Sequence, residues 1–287
     1  MTPIINSWWL NLIGYLVCAV IFSQYYKLAV KNTKRDGAAT ILLQLIAGLS
    51  ILMLAPLLPF DLPDNPKTYL LLIVASVFYA LNDRMQTTAR KNLQVSLYVI
   101  LDRLSAIFLI IFGFTIFRNP FVIEKVVGAS LILLGNFIIL YKRGKIELNR
   151  YVILSILATL TFAIAVSIDI GISKNFNLPF YIMLTLVIPA FMISIAEKIS
   201  LNEILSQYSS KDRKYYLITG VSWGLLIFFL LGAYQFGQVT VVAPLAATSV
   251  LINVLVAYVF LKEQDHKIKK ITAALVTILG AYLTVSK

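Results

Sequence analysis

The apolar residues of this chain gather into blocks of about twenty, parted by short charged stretches, and this spacing limits the possible folds more than any other feature. A helix rising 1.5 Å per residue needs roughly twenty residues to cross a ~30 Å hydrocarbon layer. Ten blocks of that kind can be read: Trp8–Tyr26, Thr40–Leu58, Tyr69–Ala89, Val95–Phe117, Val122–Tyr141, Tyr151–Asp169, Leu178–Glu197, Tyr215–Gln235, Val239–Leu261 and Ile268–Val285. They are apolar all round rather than at every second position, so helices are expected and not barrel strands. Composition agrees, with 60% hydrophobic and 13% charged residues. A soluble fold carries about 25% charged residues to cover its surface. The expectation is an all-α membrane protein of ten transmembrane helices.

No Lys or Arg lies between Met1 and Asn11, and the first block runs to full span length, unlike a cleaved secretory signal. The single cysteine, Cys18, falls inside that block and reads as a small packing residue. The net charge of +12 is unevenly placed. With successive loops on alternate faces, eighteen Lys and Arg fall on one face, among them Lys31, Arg35, Arg90, Arg143, Lys214 and Lys270, and five on the other. Lysine-rich loops stay in the cytoplasm, which implies a multi-pass protein of the cell (plasma or inner) membrane with both termini outside. The basic excess is therefore a signal of topology, and no nucleic-acid partner is expected.

The chain also repeats itself. QVSLYVILDRLSAIFLIIFGFTIFRN (94–119) lines up with QVTVVAPLAATSVLINVLVAYVFLKE (238–263), and GASLILLG (128–135) with AALVTILG (273–280). Five spans per copy is an odd number, so the copies would insert in opposite directions. This gives two inverted five-helix repeats, 1–145 and 146–287, within one transmembrane domain. Transporters often place a site between such repeats and alternate its access by exchanging their conformations.

The run APLAATSVLINVLVAYVFLKEQ (243–264), with Pro244 early in a span and Glu263 just after it, and the following IKKITAALVTILGAYL (268–283) resemble the drug/metabolite transporter superfamily in its ten-span, EamA-like form. The first repeat departs from that pattern, with Ile100 in place of the proline and Asn119 in place of the glutamate. The resemblance implies a carrier of small solutes. It also implies cytoplasmic termini, against which the loop charges argue.

Charges inside spans are the candidates for function, because each is costly in hydrocarbon. Asn82, Asp83 and Arg84 lie in the third block, Asp102 and Arg103 in the fourth. Neighbouring residues differ by about 100° around a helix, so Asp102 and Arg103 are expected not to face each other. Folding the two spans as a hairpin would instead cross-pair Asp83 with Arg103 or Arg84 with Asp102. Such a set either fixes the docking of two helices or lines a cavity that binds substrate or a coupling proton. Asp169, near a loop, reads as a coupling or gating carboxylate or as a solvated one. Asn253, mid-span, needs a partner or a substrate, and Gln44, Tyr79, Trp223 and Tyr234 are candidate cavity walls. Tyr79 and Trp223 stand at equivalent repeat positions, which suggests a shared lining. Pro56, Pro189 and Pro244 predict kinks. Gly220-x-x-x-Gly224 predicts close helix contact, within the chain rather than between copies.

No metalloprotease, Cys/His, P-loop or nucleophile-elbow motif is present in the sequence, and the one histidine, His266, stands among loop lysines. The reading is a secondary transporter, not an enzyme, with no cofactor, whose partners are a small-molecule substrate and membrane lipids, as a monomer or weak homodimer. The alternative is a lipid-handling or non-transport membrane scaffold.

Overall fold

The computed structural model describes residues 7–93, 95–140, 148–208, 212–260 and 267–285. Gln94, the lysine-rich stretch with Lys142, Arg143 and Lys145, and Glu263 and His266 lie outside the described residues. The chain is all-α, and no strand occurs among the described residues. Its helices are α1 (Trp8–Val30), α2 (Asp36–Leu52), α3 (Pro66–Asn92), α4 (Val95–Asp102), α5 (Leu104–Thr115), α6 (Ile123–Leu140), α7 (Arg150–Ile172), α8 (Leu178–Ala196), α9 (Leu201–Gln207), α10 (Arg213–Phe236), α11 (Val239–Ala247), α12 (Ser249–Phe260) and α13 (Lys267–Val285).

Among the described residues, five helical segments are long and apolar enough to cross a membrane: α1, α2 with the short turn after it, α7 with the turn after it, α8 and α10. The sequence blocks outnumber them for local reasons. The third block carries Asn82, Asp83 and Arg84, and α3 runs on past it through Arg90 and Lys91, all of which lower its apolarity. The fourth block is divided at Arg103 and the ninth at Thr248, so each becomes two shorter helices. The start of α13 holds three lysines. Pro56 does not kink a span: α2 ends at Leu52, and Pro56 sits in a short 3-10 turn, Ala55–Leu57. Pro189 and Pro244 do lie inside helices, α8 and α11.

The two divisions have nearly the same backbone. Arg103 has φ −70° and ψ −13°, and Thr248 φ −65° and ψ −14°. In both turns an amide bonds to the carbonyl three residues back, Ala106 to Arg103 and Thr248 to Leu245. That is local 3-10 geometry, a form that inside a longer helix often marks a hinge.

Burial follows from the solvent these helices meet. Large apolar side chains point outward along single faces, as with Ile13, Val17 and Ile21 on α1 and Leu275, Ile278, Leu279 and Tyr282 on α13. Exposed apolar stripes of this extent suit lipid and not water. Lipid contact removes the hydrophobic drive for helix association, so small residues and internal polar bonds must hold the bundle together. α1 packs on α10, α3 on α7, α2 on α8 and α6 on α13. In the last pair, a Cβ on Gly128 would lie 2.6 Å from the Gly280 carbonyl, and a Cβ on Gly280 2.6 Å from the Gly128 carbonyl. Gly135, further along α6, faces Ala273 and Thr277, earlier on α13, so the two helices run antiparallel.

Gly220 and Gly224 bring α10 against α2. A Cβ on Gly224 would lie 2.7 Å from the Ala47 carbonyl, and one on Gly220 2.5 Å from Ile46. Backbone on backbone leaves no room for a side chain to move aside. Gly224→Leu is therefore expected to destabilise the detergent-purified protein by about 1–3 kcal/mol, the range for overpacking. Thermal unfolding beside wild type measures it, and an unchanged midpoint would contradict this contact.

Candidate functional site

A one-residue step turns a helix by about 100°, and α3 uses that turn to send its polar residues to different neighbours. Asp83 faces α2: its Oδ2 accepts from Gln44 Nε2 at 2.7 Å and its Oδ1 from Asn82 Nδ2 at 2.7 Å. Asn82 and Asp83 are each 3% exposed and Gln44 is fully buried. One turn on, Thr87 bonds both the Tyr26 hydroxyl on α1, at 2.9 Å, and Thr40 on α2, at 2.7 Å. Another turn on is Arg90, whose guanidinium lies 4.4 Å from the Tyr98 ring centroid, 4.6 Å from that of Tyr26 and 5.3 Å from that of Phe22.

The seam continues into α4. Tyr98 donates to Asp102 Oδ1 at 3.3 Å, and Arg103 Nη2 pairs with Asp102 Oδ2 at 2.5 Å. Arg103 Nη1 also donates to Ser249 Oγ at 3.3 Å, and Tyr15 of α1 lies against both. The expectation that Asp102 and Arg103 look away from each other is overturned. The 3-10 turn at Arg103 ends the regular helix between them and swings the guanidinium back onto its neighbour. Neither expected cross-pair forms: Asp83 has amide partners, and Arg84 pairs with Glu197 at the end of α8 and donates to Thr88.

Arg84 belongs to a second network at the lysine-rich end of the bundle. Lys91 pairs with Asp36 at 2.7 Å and donates to the Thr33 carbonyl at 3.0 Å. Arg35 pairs with Glu203 at 2.5 Å and reaches the Glu197 carbonyl. Three ion pairs thus lace α2, α3, α8 and α9 together. Ser200 caps α9 in a reciprocal arrangement with Glu203.

Asp169 is fully buried, not solvated. It accepts from Tyr79 Oη at 2.5 Å and from Tyr181 Oη at 2.6 Å, which ties α7 to α3 and α8. Tyr79 and Trp223 do not share a lining: Tyr79 bonds Asp169 and stacks edge-on with Phe162, whereas Trp223 packs on Phe22 and Tyr26. Asn253 has its partners across the helix interface, with Ser23 donating to its Oδ1 at 2.7 Å and Gln24 at 3.3 Å. Tyr234 is buried in the apolar core.

The site residues that sequence reasoning missed are Arg90, Tyr98, Tyr181 and Ser249. Arg90 had a signal: Asp83, Thr87 and Arg90 are spaced four and three apart, one helical face. Its position close to the expected loop hid it. Ser249 and Tyr181 carry no local signal, because only tertiary packing brings them to Arg103 and Asp169.

Residues 7–141 match the model of the EamA-like transporter family. That stretch is an EamA-like unit. It holds α1 to α6, and with them Asp83, Arg90, Asp102 and Arg103 of the seam. No curated protein matches the sequence. A crystal structure of another protein superposes with a TM-score of 0.72 over 96% of this chain and 97% of its own, at 14% identity. The fold is therefore shared along nearly the whole chain.

In the lysine-rich network, the Ser200 backbone N–H, the Arg35 guanidinium and the Ser200 hydroxyl hold the Glu203 carboxyl below its ordinary range. A carboxyl held low in the folded protein contributes stability above its unfolded value, about 4.3, and loses that contribution as pH falls through the folded value. Wild type is expected to melt above Glu203→Gln at pH 6, and the gap to close below about pH 4. A gap that persists at pH 3 would show that Glu203 acts otherwise than through its charge.

Proposed function

We propose that this protein is a secondary transporter of a small organic solute. Its ten spans form two inverted five-helix halves, 1–145 and 146–287, which alternate access to a site between them. The observation that carries this reading is the meeting of α4/α5 with α11/α12. Each pair is interrupted by the same tightened turn, at almost equivalent repeat positions, and Arg103 at one turn bonds Ser249 beside the other. Hinges at matching places in both halves suit a fold that exchanges two mirrored states.

The packing supports the inverted arrangement. Exchanging the halves turns the α1–α10 pair into the α7–α3 pair and returns α2–α8 and α6–α13 to themselves. In the same exchange, the Gly128–Gly280 contact becomes the contact between Ala273 and Gly135, which is present. Membership of residues 7–141 in the EamA pattern supports a carrier and not an enzyme. The loop charges favour the cell membrane, with the lysine-rich end inside and both termini outside. Monomer or weak homodimer remains the expected state, and Gly220 and Gly224 are already engaged by α2.

Substrate contact falls to Asp102, Arg103 and the neighbouring seam, including Asn82 and Asp83, with Asn253 beside it on α12. Proton coupling falls to Asp169. Asp102 is committed to Arg103, whereas the hydrogen-bond partners of Asp169 are hydroxyls on two other helices. Gaining or losing a proton there would change how α3, α7 and α8 are joined.

Reconstituted vesicles offered pooled labelled metabolites test the reading. Wild type is expected to show counterflow of at least one solute, and silence with every pool would overturn transport in favour of a scaffold. Asp102→Asn and Arg103→Gln are expected to abolish that counterflow while the melting temperature stays within a few degrees of wild type. Loss of stability together with activity would make the pair a helix-docking device. Asp169→Asn is expected to keep exchange counterflow but lose accumulation driven by a pH gradient, and full gradient-driven uptake by this variant would exclude Asp169 as the proton carrier.

A further inference from the structure

At the corner where α3 meets α4, the charges of the seam do not balance locally. Arg90 and Arg103 both act on Asp102, and Asp102 is already paired to Arg103 at 2.5 Å. Asp83, the other carboxylate of the seam, is held by Gln44 and Asn82 on the far side of Thr87. At this corner two guanidiniums therefore share one carboxylate, in a medium where an unpaired charge is expensive.

The donors do not balance either. A guanidinium directs its N–H groups within its plane, and an aromatic ring meets it face-on. The Tyr98 and Tyr26 rings at 4.4 and 4.6 Å screen the charge of Arg90, and the Tyr98 hydroxyl is within reach of one of its N–H groups, which leaves the others to find acceptors elsewhere. Arg90 Nε and Arg103 Nε are both buried, and neither has a hydrogen-bond partner among the described residues. Two inward guanidiniums, each with an unanswered N–H, flank Tyr98 and Asp102. Leaving such donors empty costs more than a neutral orphan, and an acceptor with a negative charge would answer both.

We propose that Arg90 and Arg103 bind the carboxylate of the transported solute, which is a small organic monoanion. This rests on the transport reading and deepens it. The excess of one positive charge selects a single negative charge. A phosphate ester with two would leave one uncompensated in a low dielectric. The rings of Phe22, Tyr26 and Tyr98 around Arg90, with Tyr15 beside Arg103, offer apolar walls to the rest of the molecule. The solute bridges α3 and the hinge at Arg103, so its binding is felt at the turn that meets Ser249.

The test uses the full-length protein in vesicles at neutral pH, with labelled lactate, phenyllactate and gluconate, the amide of each, a primary amine of similar size and a phosphate monoester. Counterflow of one or more of the acids by wild type, with its amide and the amine inert, is the expected result. Arg90→Gln and Arg103→Gln should each lower acid counterflow about tenfold or more, in keeping with loss of a charge-assisted hydrogen bond. Transport of amides or amines but not acids would overturn the anion site and leave the transport reading standing. Preference for the phosphate ester would overturn the single-charge assignment. No movement of any probe, while the metabolite pools do show counterflow, would also overturn the anion site; silence with both would overturn the transport reading as well. Should the glutamine variants fail to fold, the melting temperature of purified wild type decides: it should rise with the transported acid and not with its amide, and equal shifts would overturn the proposal.

Discussion

A charge inside a hydrocarbon layer must carry its own solvation, and the interior of this bundle is arranged around that demand. Asp83 is solvated by two amides, Asp169 by two phenols, Arg90 by three aromatic rings and Asp102 by a guanidinium and a phenol. Some partners are neighbours in the chain, as Asn82 is to Asp83 and Arg103 to Asp102. Gln44, Tyr79, Tyr181, Phe22 and Tyr26 reach in from other helices, so Asp83, Asp169 and Arg90 each tie helices together. Where lipid bathes the outside and gives no reason for helices to associate, these polar joints and the glycine contacts do the joining.

The two polar systems differ in kind. At the lysine-rich end, three cations meet three carboxylates close to the aqueous loops, and the charges cancel. Pairs of that sort are weak individually and gain from being a network. The seam lies deeper, gathers two guanidiniums around one carboxylate where α3 meets α4, and touches both interrupted helices.

Much of this was legible in the sequence, because the dominant signals are local. Blocks of twenty apolar residues, loops rich in lysine, and the alignment of QVSLYV with QVTVVA can all be read without knowing a single contact. The site was legible as a list of costly residues but not as a set of partners. Arg84 and Asp83 are adjacent in sequence yet serve different faces of α3, and Asp102 and Arg103 meet only because the helix tightens between them. That turn carries no glycine or proline to announce it. Asp169 misled for a related reason: distance from the loop along the chain says nothing of the two tyrosines that close over it.

The mutual contact of Gly128 and Gly280 has a consequence for how freely the halves can differ. The two are not repeat counterparts, since the alignment pairs Gly128 with Ala273 and Gly280 with Gly135, yet each sits against the other's backbone. Where α6 meets α13, backbone touches backbone, and a methyl group on either glycine would wedge both helices apart. Along this line neither half has latitude that the other does not share.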